Sequence, residues 1–193
     1  MRGSLLLAAV VFGSVATVRA QVAEVYVTSS SGHFSNVATG VVLSGSTYHE
    51  QYKSFWTSGI GGGVTLNFIP VGPVRLGFDL RGSTRPGTGG ADTAMAGLKL
   101  AFHPPLLKLK PYIQGSGGYL ATRTVNVSSG SNGATFNNKY AAWEILGGVD
   151  VPVAPFIDFR AIELGGGTGV SVFAISTSNV SQFTINTGLV VHF

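Results

Sequence analysis

His33 and Ser35 stand two residues apart in the segment His33-Phe34-Ser35-Asn36. On an extended chain, residues i and i+2 share a face. The imidazole could then take the hydroxyl proton and leave a serine able to attack an ester carbonyl. Such a pair needs a third group to orient the imidazole. Glu50 is a candidate, although nothing in the spacing ties it to His33. The segment lies beside a long polar stretch, about 31–54, that has room for a hairpin extension of its own. The expected reading is therefore a polar loop segment, not a catalytic set.

No other chemistry-bearing residues converge. His49-Glu50, His103 and His192 show no metal-ligand spacing, so no metal site is expected. His192 is expected to be a satisfied residue facing inward near one end of the fold. The glycine runs 61–63 and 165–167 lack the Lys-Ser/Thr and the following helix that a phosphate-binding loop requires. Lys108-Leu109-Lys110 reads as a solvated turn that could touch anionic headgroups. No catalytic, cofactor-binding or metal residue is assigned, and no enzymatic site is expected.

The elements that carry these residues are strands. The chain opens on Met1-Arg2, runs through Leu5-Leu6-Leu7-Ala8-Ala9-Val10-Val11-Phe12 and reaches Val18-Arg19-Ala20. A charged start, a short apolar core and small residues at a cleavage position make a signal peptide over 1–20. The mature domain is then 21–193. The absence of Cys excludes a lipoprotein anchor and a disulfide scaffold. Removing Arg2 and Arg19 from the twelve cations leaves ten against eight Asp and Glu, so no nucleic-acid partner is expected. Charged residues are 10% of the chain and glycines number 28, yet no later apolar run is long enough for a spanning helix.

Apolar residues instead recur with period two, the mark of strands with different environments on their faces. Strand one covers about 23–30. Strand two sets Trp56, Ile60, Val64, Leu66 and Phe68 against Gly59, Gly61, Gly63, Thr65 and Asn67. In the third, Val74, Leu76, Phe78 and Leu80 alternate with Arg75, Gly77, Asp79 and Arg81. The fourth alternates Ala94, Ala96, Leu98, Leu100 and Phe102 with Met95, Gly97, Lys99 and Ala101. The fifth spans about 111–123, with Ile113, Gly115, Gly117 and Tyr119 outward. The sixth opposes Trp143, Ile145 and Val149 to Glu144, Gly148 and Asp150. The seventh places Asp158 and Arg160 inward, and unbroken register would send Glu163 outward unless a bulge or the aqueous rim intervenes. The eighth ends on Leu189, Val191 and Phe193. Short Pro turns follow strands two, four and six. Long loops, about 31–54, 82–92, 124–139 and 165–181, follow strands one, three, five and seven.

Glu24, Arg75, Asp79, Arg81, Lys99, Glu144, Asp150, Asp158 and Arg160 share the face opposite the apolar one. Trp56, Trp143, Tyr119 and Phe193 stand on the apolar face near strand ends, as interfacial girdles do. These features predict an all-β fold: a transmembrane, eight-stranded, antiparallel up-and-down β-barrel. A barrel of this size is filled by its own side chains. Its charges are then expected to pair inside, with Gly59, Gly61, Gly63, Gly77, Gly97, Gly148 and Gly188 making room for Arg and Lys and leaving no wide pore.

The closing Thr187-Gly188-Leu189-Val190-Val191-His192-Phe193 resembles the barrel-assembly signal of small outer-membrane barrels. Lys110-Pro111-Tyr112-Ile113, followed by Gly115, Gly117 and Gly118, resembles their Pro-Tyr strand opening. The mature chain as a whole is similar to the eight-stranded OmpA/OmpX type, without a peptidoglycan-binding domain. The resemblance implies residence in the bacterial outer membrane, contact with its lipid, and insertion by the barrel-assembly machinery through the C-terminal strand. A monomer with a structural or surface-interaction role is expected. His33-Phe34-Ser35-Asn36 faintly resembles the His-X-Ser-Asn motif of lipid A deacylase barrels, which in that family belongs on a later strand. The alternatives are therefore a lipid-modifying enzyme of that kind or a small-solute channel. A soluble lipocalin-like barrel would need an apolar lumen, which the inward charges oppose.

Overall fold

A computed structural model describes residues 23–44, 47–87, 89–104, 108–126, 134–171 and 179–193. The expected signal peptide lies outside them. Eight strands follow in order: β1 Ala23–Ser44, β2 Thr47–Val71, β3 Val74–Arg85, β4 Ala91–Phe102, β5 Lys110–Asn126, β6 Ala134–Ala154, β7 Ile157–Ser171 and β8 Asn179–His192. Each pairs antiparallel with its neighbours, and β8 closes on β1. At the seam the Phe193 N–H donates to the Ala23 carbonyl at 2.9 Å.

The two faces are inverted relative to a soluble protein. Leu80, Leu98, Ile113, Ile145 and Leu189 are exposed, while Asp79, Lys99, Glu144, Asp158 and Arg160 are buried. Apolar surface this continuous on the outside of a closed sheet has hydrocarbon as its solvent. Closure is then obligatory, because an open edge would leave amides unpaired in lipid. The chain therefore has the architecture of a transmembrane β-barrel.

The registers fix its dimensions. From Val27 the rungs run through Gly62, Gly82, Ala94, Tyr119, Ala141 and Val170 to Asn179. The direct β8 partner of Val27 is Leu189, so one circuit displaces the sheet by ten residues, from 179 to 189. For eight strands at ordinary spacings, that shear tilts the strands by roughly 40°. On β8 the outward aromatics Phe183 and Phe193 are both exposed. The chain length between them, at that tilt, spans about 25 Å, the height of a barrel's apolar band. Trp56 (60% exposed), Tyr119 and Trp143 mark one girdle; Phe68, Phe102, Phe156 and Phe193 (66%) mark the other.

The structure decides two expectations that the sequence leaves open and corrects a third. The stretch 31–54 is realised as a hairpin extension of β1 and β2. β1 pairs with β8 only as far as Ser35, then continues against β2 to the Ser44–Thr47 pair. The other long loops also shorten, because Gly, Ser and Thr residues continue as antiparallel ribbon, whose backbone bonds form without an apolar face. At Asn36 the backbone turns left-handed (φ 62°), beside a register shift between Phe34 and Val37. Asn tolerates that conformation, and its Nδ2 donates to the Asn179 carbonyl at 2.8 Å. Asn138 Nδ2 donates to the Ala38 carbonyl at 2.8 Å, tying the hairpin to β6 across the mouth. Phe34 and Val37 thereby enter the lumen and pack with Met95, Leu120, Tyr140 and Val180 into an apolar plug. The charge-based reading of the lumen did not foresee that plug.

The second open expectation concerns strand seven. Between Arg160 and Glu163 the register slips by one residue against both neighbours. Ala161 and Ile162 both face outward, and Glu163 turns inward with 1% exposure. The bulge alternative is therefore the one realised. Because one residue flips a whole strand, deleting Ala161 should send either Asp158 and Arg160 or Glu163 into lipid. The deletion is expected to abolish the heat-modifiable folded band on a gel; a normal folded band would contradict the register.

Candidate functional site

The lumen is where side-chain chemistry concentrates, and it is layered along the barrel axis. Nearest the short turns, Glu24 accepts from Lys99 Nζ at 2.7 Å and Asn67 Nδ2 at 2.9 Å. Asp158 meets Lys110 Nζ at 2.6 Å and His192 Nε2 at 2.8 Å. His192 is thus a satisfied inward residue, as its position on the last strand predicts. His103, in the turn beyond β4, is held down at about 4 by half-burial and by the nearby Arg75 and Lys110 cations. It is neutral at physiological pH.

The middle layer is organised by Glu163. Its carboxylate accepts from Arg81 Nη1 and Nη2 at 3.2 and 2.9 Å, Arg160 Nη1 at 3.2 Å, Tyr112 Oη at 2.6 Å and Asn186 Nδ2 at 2.8 Å. Arg160 also grips Asp150 with Nε at 3.0 Å and Nη2 at 3.2 Å. Its guanidinium lies 4.4 Å from the Tyr26 ring centroid and 4.9 Å from that of Tyr112. Asp79 accepts from the Tyr26 hydroxyl at 3.0 Å, Thr65 Oγ1 at 2.7 Å and Gln114 Nε2 at 2.7 Å. Charges this deep persist only when paired and hydrogen-bonded, and each of these acids has several donors.

Two of the inward glycines, Gly63 and Gly148, make room for tyrosine; the others abut neighbouring backbone, Thr, Asn or Ser. A Cβ on Gly63 would come 2.4 Å from the Tyr26 hydroxyl, and one on Gly148 would come 2.4 Å from that of Tyr112. Space for Arg and Lys was the wrong emphasis. The aromatic rings need the bare backbone, and the guanidinium of Arg160 then lies against the rings.

Toward the plug the pairing loosens. Glu144 is 3.7 Å from Arg81 and accepts from Gln182 Nε2 at 3.5 Å. Arg85 donates to Ser83 Oγ at 2.9 Å and Ser30 Oγ at 2.6 Å. The Phe34 ring lies 5.5 Å from its guanidinium carbon. Arg85 and Glu144 line a shared cavity of about 30 Å³, the volume of a water molecule or two. Above it the plug closes the lumen. Among the described residues this is a polar shaft packed with its own ion pairs.

The sequence-derived serine pair lies elsewhere, on the outer face. Ser35 Oγ is 3.3 Å from His33 Nδ1. The His33 ring packs 5.1 Å from Trp56, beside Phe183, at the girdle nearest the hairpin. Strand geometry therefore brings His33 and Ser35 together, but not Glu50. His33 pairs with Trp56, whereas Glu50 pairs with Val41, six residues further along β2. That is about 20 Å of strand. No described carboxylate hydrogen-bonds to either residue. Among the described residues no group of His, Asp and Glu is arranged to hold a metal ion.

No protein-family model and no curated protein matches the chain. Among solved structures it is similar to Neisserial surface protein A, with 14% identity over 88% of this chain and 97% of that one and a TM-score of 0.45. It is similar to the outer membrane protein OprG of Pseudomonas aeruginosa, with 9% identity, coverages of 90% and 98% and a TM-score of 0.46. It is also similar to Ail, the attachment invasion locus protein of Yersinia pestis, with 10% identity, coverages of 86% and 97% and a TM-score of 0.42.

Removing the Glu163 carboxylate leaves two buried arginines undercompensated. Glu163→Ala should cost about 3–5 kcal/mol, whereas Tyr26→Phe, which removes a hydroxyl that donates to Asp79 and accepts from Arg81 Nε at 3.2 Å, should cost about 1.5–3 kcal/mol. Urea unfolding in lipid vesicles measures both, and equal losses would refute the hub role of Glu163.

Proposed function

We propose that this protein is a sealed outer-membrane barrel acting through its external surface, without a wide pore and without catalysis. One observation carries the reading: the lumen is filled by a cross-strand ion-pair lattice and capped by an apolar plug. Moving a solute along it would require separating Arg81 and Arg160 from Glu163 and displacing Phe34 and Leu120 as well. What remains for interaction is the long-loop end, where the β1–β2 and β5–β6 hairpins extend beyond the apolar band. In this reading the barrel is monomeric, and β8 is the strand engaged by the barrel-assembly machinery. The runner-up channel reading is tested directly. Purified protein in planar bilayers should give no large, steady conductance, and a stable open level would overturn the proposal.

The His33–Ser35 contact at 3.3 Å supports a second reading, ester cleavage in a neighbouring lipid. A free imidazole beside a hydroxyl at the membrane rim has the first two parts of a nucleophilic site but no orienting acid. Under the sealed-barrel reading, Ser35→Ala and His33→Ala leave the lipid A acylation pattern of producing cells unchanged by mass spectrometry. Loss of a deacylated species in both variants would establish the enzymatic reading instead.

A further inference from the structure

The apolar band is not uniform. On the faces of β2 to β5 it sinks into a groove of about 440 Å³ lined by Gly62, Val64, Leu80, Gly82, Ala96 and Gly117. Ile60, two residues from Gly62 on β2, and Trp143, paired with Gly117 across β5 and β6, are strongly exposed at its edges. The next rung toward the hairpin end comprises Ile60, Thr84, Asp92, Ala121 and Lys139. Lys139 is exposed and has no ion-pair partner among the described residues. Arg123, one outward position further along β5, pairs with Asp92, which also accepts from Thr84 Oγ1 at 2.8 Å. The groove therefore leads up to two cations and one neutralised acid, a net positive edge at headgroup depth.

From this juxtaposition we infer a docking site for a single phosphate-bearing lipid of net negative charge in the outer leaflet, with an acyl chain in the groove and its phosphate at Lys139 and Arg123. Charge complementarity selects this occupant. A second barrel would meet the projecting Ile60 and Trp143 before it reached the small residues. A zwitterionic lipid could pair its phosphate with Lys139 but would bring its own cation to an edge that is already net positive, so the site selects a lipid of net negative charge. The inference needs only that the barrel spans a membrane, and it holds whether or not the lumen conducts.

The chain has two tryptophans, so Trp56→Phe leaves Trp143 as the only indole, beside the groove. In phosphatidylcholine vesicles, a few mole per cent of phosphatidic acid with brominated chains should quench Trp143 roughly fivefold more than the same fraction of brominated phosphatidylcholine. Lys139→Gln with Arg123→Gln should remove the preference. Gly117→Leu should remove quenching by either lipid beyond the bulk level. At Gly117 an added Cβ meets only the Ala142 carbonyl at 3.8 Å, so this variant fills the groove without backbone conflict. A normal heat-shifted band shows that each variant is folded and inserted. Equal quenching by the two lipids, or a preference that survives both changes, would overturn the site.

Discussion

A peptide group without a partner costs several kcal/mol in hydrocarbon, and everything in this barrel follows from avoiding that cost. The pairing of β8 with β1 satisfies the last edge. Once the sheet closes with eight strands, its radius is fixed, and the inward side chains have a narrow cylinder to share. Period-two alternation then sends every other residue into that cylinder. Arg81, Lys99 and Arg160 cannot reach bulk water from there, so each must find its counter-charge on another strand. The salt-bridge lattice is thus a consequence of closure. Glu163 shows how tight the requirement is, since one carboxylate serves cations from β3 and β7, a phenol from β5 and an amide from β8.

The bulge at Ala161 links the two environments. Without it, strict alternation would place Glu163 against lipid and an apolar neighbour against Arg81. One extra residue keeps Asp158 and Arg160 inward on one side of the kink and Glu163 inward on the other. The irregularity costs a ladder bond locally and supplies the central anion of the lumen.

Much of this was legible in the sequence, for a definable reason. Lipid and lumen differ so strongly that alternation survives in Val74 to Arg81 and in Phe183 to Phe193 with few exceptions, and strand number, order and facing follow from it. Glu163 was legible as a conflict, with a bulge as one resolution, because a charge cannot occupy the apolar face. The hairpin within 31–54 was legible only as one option, and the plug was not legible at all. Above the membrane both faces of a ribbon meet water, so Ser, Gly and Thr carry no pattern that separates strand from loop. The inward turn of Phe34 and Val37 depends on a left-handed Asn36, which composition does not announce. The room made by Gly63 and Gly148 was visible, but its beneficiaries were not, because Tyr26 and Tyr112 reach them only after the strands are paired. The lipid-side groove was hidden for a related reason. Gly62, Gly82 and Gly117 are far apart in the chain and become neighbours only through the register.

The plug has a consequence for how the molecule can be built. Phe34 and Val37 come from the first strand, Val180 from the last, and Met95, Leu120 and Tyr140 from between. No partial sheet can assemble that cluster. Until β8 arrives, the interior is an open trough in which arginines and carboxylates keep their hydration shells. Drying of the interior is therefore the final event of biogenesis. A stalled intermediate would be wet inside, permeable to small reagents and distinguishable from the finished protein by that property alone.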